Sequence, residues 1–376
     1  MISRIEKLAD LKSGKTLDAI LITSPVSVKY LSGYAYNFEI GPSPFQLIPA
    51  ALVWFPPESA TLVIADNEPV DPGDLDPGIM VIKYTSYSYK IPMDFAGNFN
   101  RKLLEAFGRG TKAKFRVGIE SGTVPHMVVD SLAKQFPDIV FMDISADLAR
   151  LRMIKDPDEI LAIRASTSLC DIGQEAVIKY ARSGMSELEL FTRVRADMES
   201  TAGKRVPMMT DLVSGERTGE GGGNPSDRIM KPGDMILSDL TPCLNGYWGD
   251  TCNTVVVGKP TRKQLMHYKM VKETLDMAIN AIKPGIKAKT IDQLMRKNLS
   301  SAGGYNHHSG HGVGIAYHEE PRIVPYNETI LVPNMIIALE PGIYTNGYGI
   351  RFEHMVLVTP TGREVLSKFN HHFEQI

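Results

Sequence analysis

Residues 237–254 read LSDLTPCLNGYWGDTCNT, an apolar stretch with two acids, Asp239 and Asp250, on either side of a Gly246–Tyr247 turn. Ten residues separate the acids, so a hairpin turning at Gly246 aims both inward from adjacent strands. Three later stretches also set a polar group among apolar ones: HHSGHGVGIAYHEEPRI (307–323) holds His311, ALEPGIY (338–344) holds Glu340, and GIRFEHMVLVT (349–359) holds Glu353. Ile236 and Leu237 precede Asp239, Ile336, Ile337 and Leu339 precede Glu340, and Val356 and Val358 follow Glu353. A buried, unpaired carboxylate is costly, so acids in core strands are paired, protonated or metal-bound. Taken singly, each acid reads as a surface residue. Together, four converging carboxylates cannot all stay ionised without cations. Two divalent ions cancel four negative charges and leave the imidazole neutral, as a ligand must be. The set reads as a dinuclear metal site.

Composition bounds the rest. A chain of 376 residues suggests two domains, and 43% hydrophobic with 22% charged residues describes a soluble globular protein. A net charge of −2 gives no basic footprint, which argues against nucleic acid as a partner. Cys170, Cys243 and Cys252 form no CxxC pair, and so sparse a set reads as reduced thiols; a Cys243–Cys252 contact across the hairpin is the minor alternative. The N-terminus, MISRIEKLADLK, has charges throughout and no apolar signal core, and no run is long enough to span a membrane. The expectation is a cytoplasmic protein.

Residues 1–150 alternate helices and strands. A helix over Ile5–Leu11 leads to the strand LDAILIT, then to a proline-started helix ending at Gly33. AALVWF and TLVIA follow as strands, NEPVDPGDLDPG as a loop, then a helix over Asn100–Phe107, the strand FRVGIE, a helix over Met127–Phe136 and the strand IVFMDI. This is an α/β sheet with mixed or parallel strands. No GxGxxG stands in a strand–turn–helix setting, so no nucleotide site is expected. The second domain, 151–376, opens at Asp156, Pro157 and Glu159, which together make a capping box. Ser186 with Glu189 caps the next helix. About a hundred residues on, Thr261 with Gln264 opens a helix that Lys283-Pro284-Gly285 stops, and Thr290 with Gln293 opens another. Helix, glycine stop, capped helix and glycine-rich strand recur as a weak internal duplication.

The acid and histidine motifs resemble the pita-bread metallohydrolases, the family of methionine aminopeptidase, aminopeptidase P, prolidase and creatinase. The resemblance rests on Asp-x10-Asp, GHGVG with a second histidine seven residues on, HEEP, EPGIY and RFE, and it covers the chain from about residue 150. It implies an α/β creatinase-type N-terminal domain (1–150), which in the family forms dimers and roofs a neighbouring active site. It also implies an α+β catalytic domain (151–376) with a curved antiparallel sheet and pseudo-twofold αβ halves. By the same resemblance Asp239 chelates one metal, His311 and Glu340 bind the other, and Asp250 and Glu353 bridge. Oxygen ligands with one imidazole favour Mn²⁺ first, with Co²⁺, Fe²⁺ or Zn²⁺ as alternatives. Glu340 resembles the family's general base, and His318 the histidine that hydrogen-bonds the scissile carbonyl. Arg351 completes the candidate catalytic set as a clamp, a substrate-carboxylate contact or a structural ion pair. Thr254 is a candidate partner of the bridging acid. His307 and His308 read as loop residues, at most substrate contacts.

One segment departs from the family. Where its peptidases carry SGxxxxxxHGxPSDR, this chain has SGERTGEGGGNPSDR, with Gly222 at the histidine position and glycines 221–223 forming a mobile or close-approach loop. The resemblance thus implies a dinuclear metal hydrolase of a C–N bond in a small peptide or amide, an Xaa-Pro dipeptidase first, and a homodimer. Gly222 keeps open a non-peptide hydrolase of the creatinase or ectoine-hydrolase kind. A non-enzymatic binding protein is the remote alternative, against which the intact ligand set argues.

Overall fold

The computed structural model describes residues 4–8, 17–35, 50–55, 60–108 and 116–371. The chain divides into two compact units, Met1–Leu151 and Arg152–Ile376. In the first, β1 (Ala19–Ile22), β2 (Ala51–Trp54), β3 (Thr61–Ala65), β4 (Met80–Tyr84), β5 (Arg116–Ile119) and β6 (Val140–Asp143) make one sheet, ordered β4-β3-β2-β1-β5-β6. The β1–β2 and β2–β3 pairs are antiparallel and the other three parallel, so the sheet is mixed. Phe99, Leu103 and Phe107 pack from one helix onto Val53 and Val63. That helix begins at Phe95 rather than Asn100, because the Asp94 carboxylate accepts from the Gly97 amide at 2.8 Å and caps it. Strand β4 and a helix over Ser145–Met153 were not expected; β4 is an edge strand with mostly unburied residues, which pairing with β3 orders. Of the helix expected over Ile5–Leu11, residues 4–8 are helical and the remainder lie outside the described residues.

The second unit is α+β. β7 (Met208–Ser214), β8 (Met235–Leu244) and β10 (Thr251–Val256) form an antiparallel sheet ordered β10-β8-β7, with β9 (Tyr247–Trp248) folded onto β8. A second antiparallel sheet follows the order β12-β11-β13-β16-β17, built from β11 (Gly310–Gly312), β12 (Glu319–Ile323), β13 (Ile336–Leu339), β16 (His354–Thr359) and β17 (Gly362–Val365). Between β13 and β16 the chain makes a ribbon of β14 (Gly342–Tyr344) and β15 (Gly349–Arg351).

A helical hairpin precedes each sheet: Pro157–Tyr180 with Glu187–Ala202, then Arg262–Ala281 with Ala288–Leu299. Capping boxes start three of these helices, with Asp156, Ser186 and Thr261 amides donating to Glu159, Glu189 and Gln264 at 3.0, 2.9 and 2.7 Å. The fourth departs from expectation. It begins at Ala288 after Lys287, and Thr290 lies inside it. The reason is tertiary: the Ala288 amide donates to the Thr329 carbonyl at 2.9 Å, and Lys287 bridges Ile330. Ser186 bridges Ile229 in the same way, so the two halves repeat even where the capping residue differs.

Candidate metal centre and active site

Asp239 sits mid-β8, directly between Asp211 of β7 and Cys252 of β10. Residues opposite one another in adjacent strands share a face, so these three point together. Cys252 therefore faces Asp239, not Cys243, and all three cysteines are buried and in no disulfide. The turn between β8 and β9 is Asn245-Gly246, both at positive φ (55° and 82°), as a two-residue hairpin loop requires. Asp250 enters just before β10, where the Thr241 hydroxyl donates to its Oδ1 at 3.1 Å.

The second half supplies the other groups. His311 lies in the centre of β11, with its Nδ1 3.0 Å from the Gly312 carbonyl. Donation there leaves the Nε2 lone pair facing inward. That atom stands 3.5 Å from Glu340 Oε1, 3.7 Å from Asp250 Oδ2 and 3.8 Å from Glu353 Oε1. These gaps are too long for hydrogen bonds. Polar atoms spaced this way without bonding one another suit a shared cation. Asp250, His311 and Glu353, all buried, have donor atoms within 4.8 Å of one another, and Glu353 Oε1 has no hydrogen-bond partner among the described residues.

The electrostatics agree. Burial pushes Asp250 well above the usual carboxylate range, and the charges of Asp239 and Glu340 add to it. Burial does the same to Glu353, with Asp250 and Asp239 next. Asp239 is raised by burial against the pull of Arg351. Glu340 goes the other way: burial works upward, but His308, His311 and His307 hold it at about 2. Burial lowers His311 to about 4, so its imidazole is neutral at pH 7. Crowded, destabilised carboxylates around one neutral imidazole fit a divalent cation, whose charge relieves the repulsion.

Arg351 is buried, and its guanidinium donates to Asp239 Oδ2, to the Gly221 carbonyl and, at 3.1 Å, to the Tyr344 hydroxyl. It fixes Asp239 in place. Thr254 bonds the Arg351 backbone (2.9 and 3.1 Å) and so positions that strand rather than touching a bridging acid. His318 is exposed, its ring centroid 4.2 Å from that of His311. Burial, then His308, lowers its pKa, which keeps it neutral at pH 7. His307 and His308 do more than a surface loop would. His308 Nε2 is 2.8 Å from Glu340 Oε1, and His307 Nε2 is 2.9 Å from the Tyr344 hydroxyl. Their adjacency to the GHGVG stretch was the only sequence signal for this. Asp211 was also missed, though it stands in the apolar strand MMTDLVS and meets the criterion that singled out Asp239.

The segment 214–228 is a close-approach loop. Glu187, fully buried, accepts from the Ser214 amide (2.7 Å), the Ser226 amide (3.0 Å), both hydroxyls and Arg217. Gly222 lies against Asp211: a Cβ on it would fall 1.9 Å from Asp211 Oδ2. Asp211, Asp239, Asp250, His311, Glu340 and Glu353 floor a cavity of about 470 Å³, walled by Phe191, Met208, Met209, Tyr317 and Pro225.

Comparison with known proteins accords with this geometry. Residues 162–360 match metallopeptidase family M24, and residues 4–154 match the creatinase/prolidase N-terminal domain. The chain is 30% identical to an Xaa-Pro dipeptidase of Pyrococcus furiosus, covering 98% of each. It is 29% identical to an Xaa-Pro dipeptidase of Pyrococcus horikoshii, over 98% of this chain and 97% of that one. The crystal structure of the Pyrococcus horikoshii prolidase superposes with a TM-score of 0.84 at 29% identity, covering 99% of both chains.

Proposed function

This chain belongs to metallopeptidase family M24, and from that premise we propose that it is an Xaa-Pro dipeptidase holding two divalent ions, Mn²⁺ first. It is a metal-dependent hydrolase of peptide amide bonds. One observation supports the finer reading: His311 Nε2 faces three carboxylate oxygens at 3.5–3.8 Å on the floor of a cavity of about 470 Å³. Asp239, Asp250, His311, Glu340 and Glu353 would hold the ions. When bound, divalent ions supply the Lewis acid that polarises the scissile carbonyl and the means of making water nucleophilic near neutral pH.

The side chains do the rest. Glu340, ionised at pH 7 and 3.5 Å from His311 Nε2, accepts a proton from the attacking water. His318, neutral and beside His311, donates its ring N–H to the oxygen that gains charge. Arg351 and Thr241 keep Asp239 and Asp250 aimed, while Phe191 and Tyr317 give the cavity aromatic walls. Arg351 is thus a positioning residue in this proposal. Gly222 supports a second reading, a non-peptide amide hydrolase, because no imidazole stands at that position. Three buried cysteines outside any disulfide support a cytoplasmic setting, and the creatinase-type first unit supports a homodimer.

The test is proline release from Xaa-Pro dipeptides by Mn²⁺-loaded protein of measured metal content. Release at roughly 1 per second or faster is expected. No release from fully loaded protein moves the assignment to non-peptide amides.

A further inference from the structure

Asp211 is the acid in the cavity that the hydrolytic chemistry does not use. Its side chain retains 39% of its exposure, and its carboxylate makes no hydrogen bond among the described residues. The nearest cation, Arg351, lies 3.7 Å away and is already engaged by Asp239, the Gly221 carbonyl and Tyr344. Asp211 Oδ2 occupies the space that a side chain at residue 222 would need. A carboxylate therefore faces the cavity where the loop has given up a side chain of its own.

The strand order places this charge. In β10-β8-β7, Asp211 lies one strand beyond Asp239, about 4.8 Å further from the ligand cluster. A group bonded directly to the scissile carbonyl's neighbouring carbon lies close to that cluster. A group reaching Asp211 belongs at the end of a longer arm. Met209, two residues before Asp211 in β7, is on the same face and 53% exposed, and Phe191 lines the same cavity. An apolar track ending at a carboxylate suits a side chain with a methylene stem and a cationic head.

We infer that Asp211 is a specificity-determining residue that selects substrates with a lysine- or arginine-like side chain on the acyl side of the scissile bond, its head paired with the Asp211 carboxylate and its stem on Met209 and Phe191. The inference rests on the peptidase reading above. It adds the class of residue the enzyme prefers.

The test uses Arg-Pro against citrulline-Pro, which differ in side-chain charge while sharing length and shape. Wild-type protein and Asp211→Asn are compared at equal measured Mn²⁺ content. The wild type is expected to favour Arg-Pro in kcat/KM by about 10- to 100-fold, the span a hydrogen bond to a charged group supplies. In Asp211→Asn that ratio falls to near 1. If neither peptide is cleaved, the peptidase reading fails on its own; the uncut peptides are then titrated by calorimetry, and the same ratio is read from Kd. A wild-type ratio near 1, or a ratio that survives in Asp211→Asn, overturns the inference. An equal loss on both peptides with the ratio intact does so too, because it marks Asp211 as merely structural.

Discussion

In the first half of the catalytic unit, Asp239 and Asp250 are aimed by a guanidinium and a hydroxyl; in the second, Glu340 stands among the imidazoles of His307, His308 and His311. The scaffolds are alike: a helical hairpin, an isolated bridge at the start of its second helix, then an antiparallel sheet. Their electrostatics part at Glu340 alone, since Glu353 in the second half is pushed up by burial as Asp239 and Asp250 are in the first. Asp250 is pushed up by burial and by neighbouring acids, whereas Glu340 is pulled down to about 2. One plan used twice thus yields carboxylates that demand a cation and a carboxylate that stays ionised. The duplication supplies the frame, and the side chains facing each acid decide its protonation.

The contrast breaks first at the shared centre. Glu353→Ala or Asp250→Ala should abolish metal binding and lower kcat/KM by about 10³-fold or more, read by metal analysis alongside turnover. A Glu353→Ala protein retaining two ions per chain would falsify the ligand assignment. His318→Ala should cut turnover by about 10²- to 10³-fold with metal content unchanged; normal turnover would leave His318 without a role. Glu187→Gln tests the first half's own support. It weakens the bonds holding 214–228 and should cost about 2 kcal/mol, seen as a lower Tm. An unchanged Tm would mean that the loop is held by other contacts.

A smaller effect sharpens the comparison in the second half. Burial lowers the pKa of His267, which lies 3.1 Å from the Tyr348 hydroxyl. The folded protein therefore holds fewer protons here than the unfolded chain. That contribution is complete above the ordinary value of 6.5 and is lost as pH falls through the depressed one. Replacing His267 with Gln should flatten the fall of Tm on acidification, and an unaltered slope would discard the idea.

Much of this was legible in advance for a local reason. Acids flanked by Ile, Leu and Val mark strands whose polar groups need partners, which singled out Asp239, Glu340 and Glu353 without coordinates. Three capping boxes are likewise written in neighbouring residues, and so is the hairpin at Gly246, although its loop is Asn245-Gly246 rather than the expected Gly246–Tyr247. What escaped was set by pairing. Ala288 starts its helix because Thr329 receives its amide, and Cys252 faces Asp239 because of the β8–β10 register. Gly222 was legible as a departure, but what fills its space was not.

The sequence by itself thus determined the element types, the duplicated plan and the identity of the buried donors, since helix period, turn chemistry and burial cost act over a few residues. Only the tertiary structure decided which groups face one another. It set Glu340 among imidazoles, Arg351 on Asp239 and Asp211 in the space left by Gly222, because register and packing join residues far apart in the chain, and charge acts through distance in space rather than along the sequence.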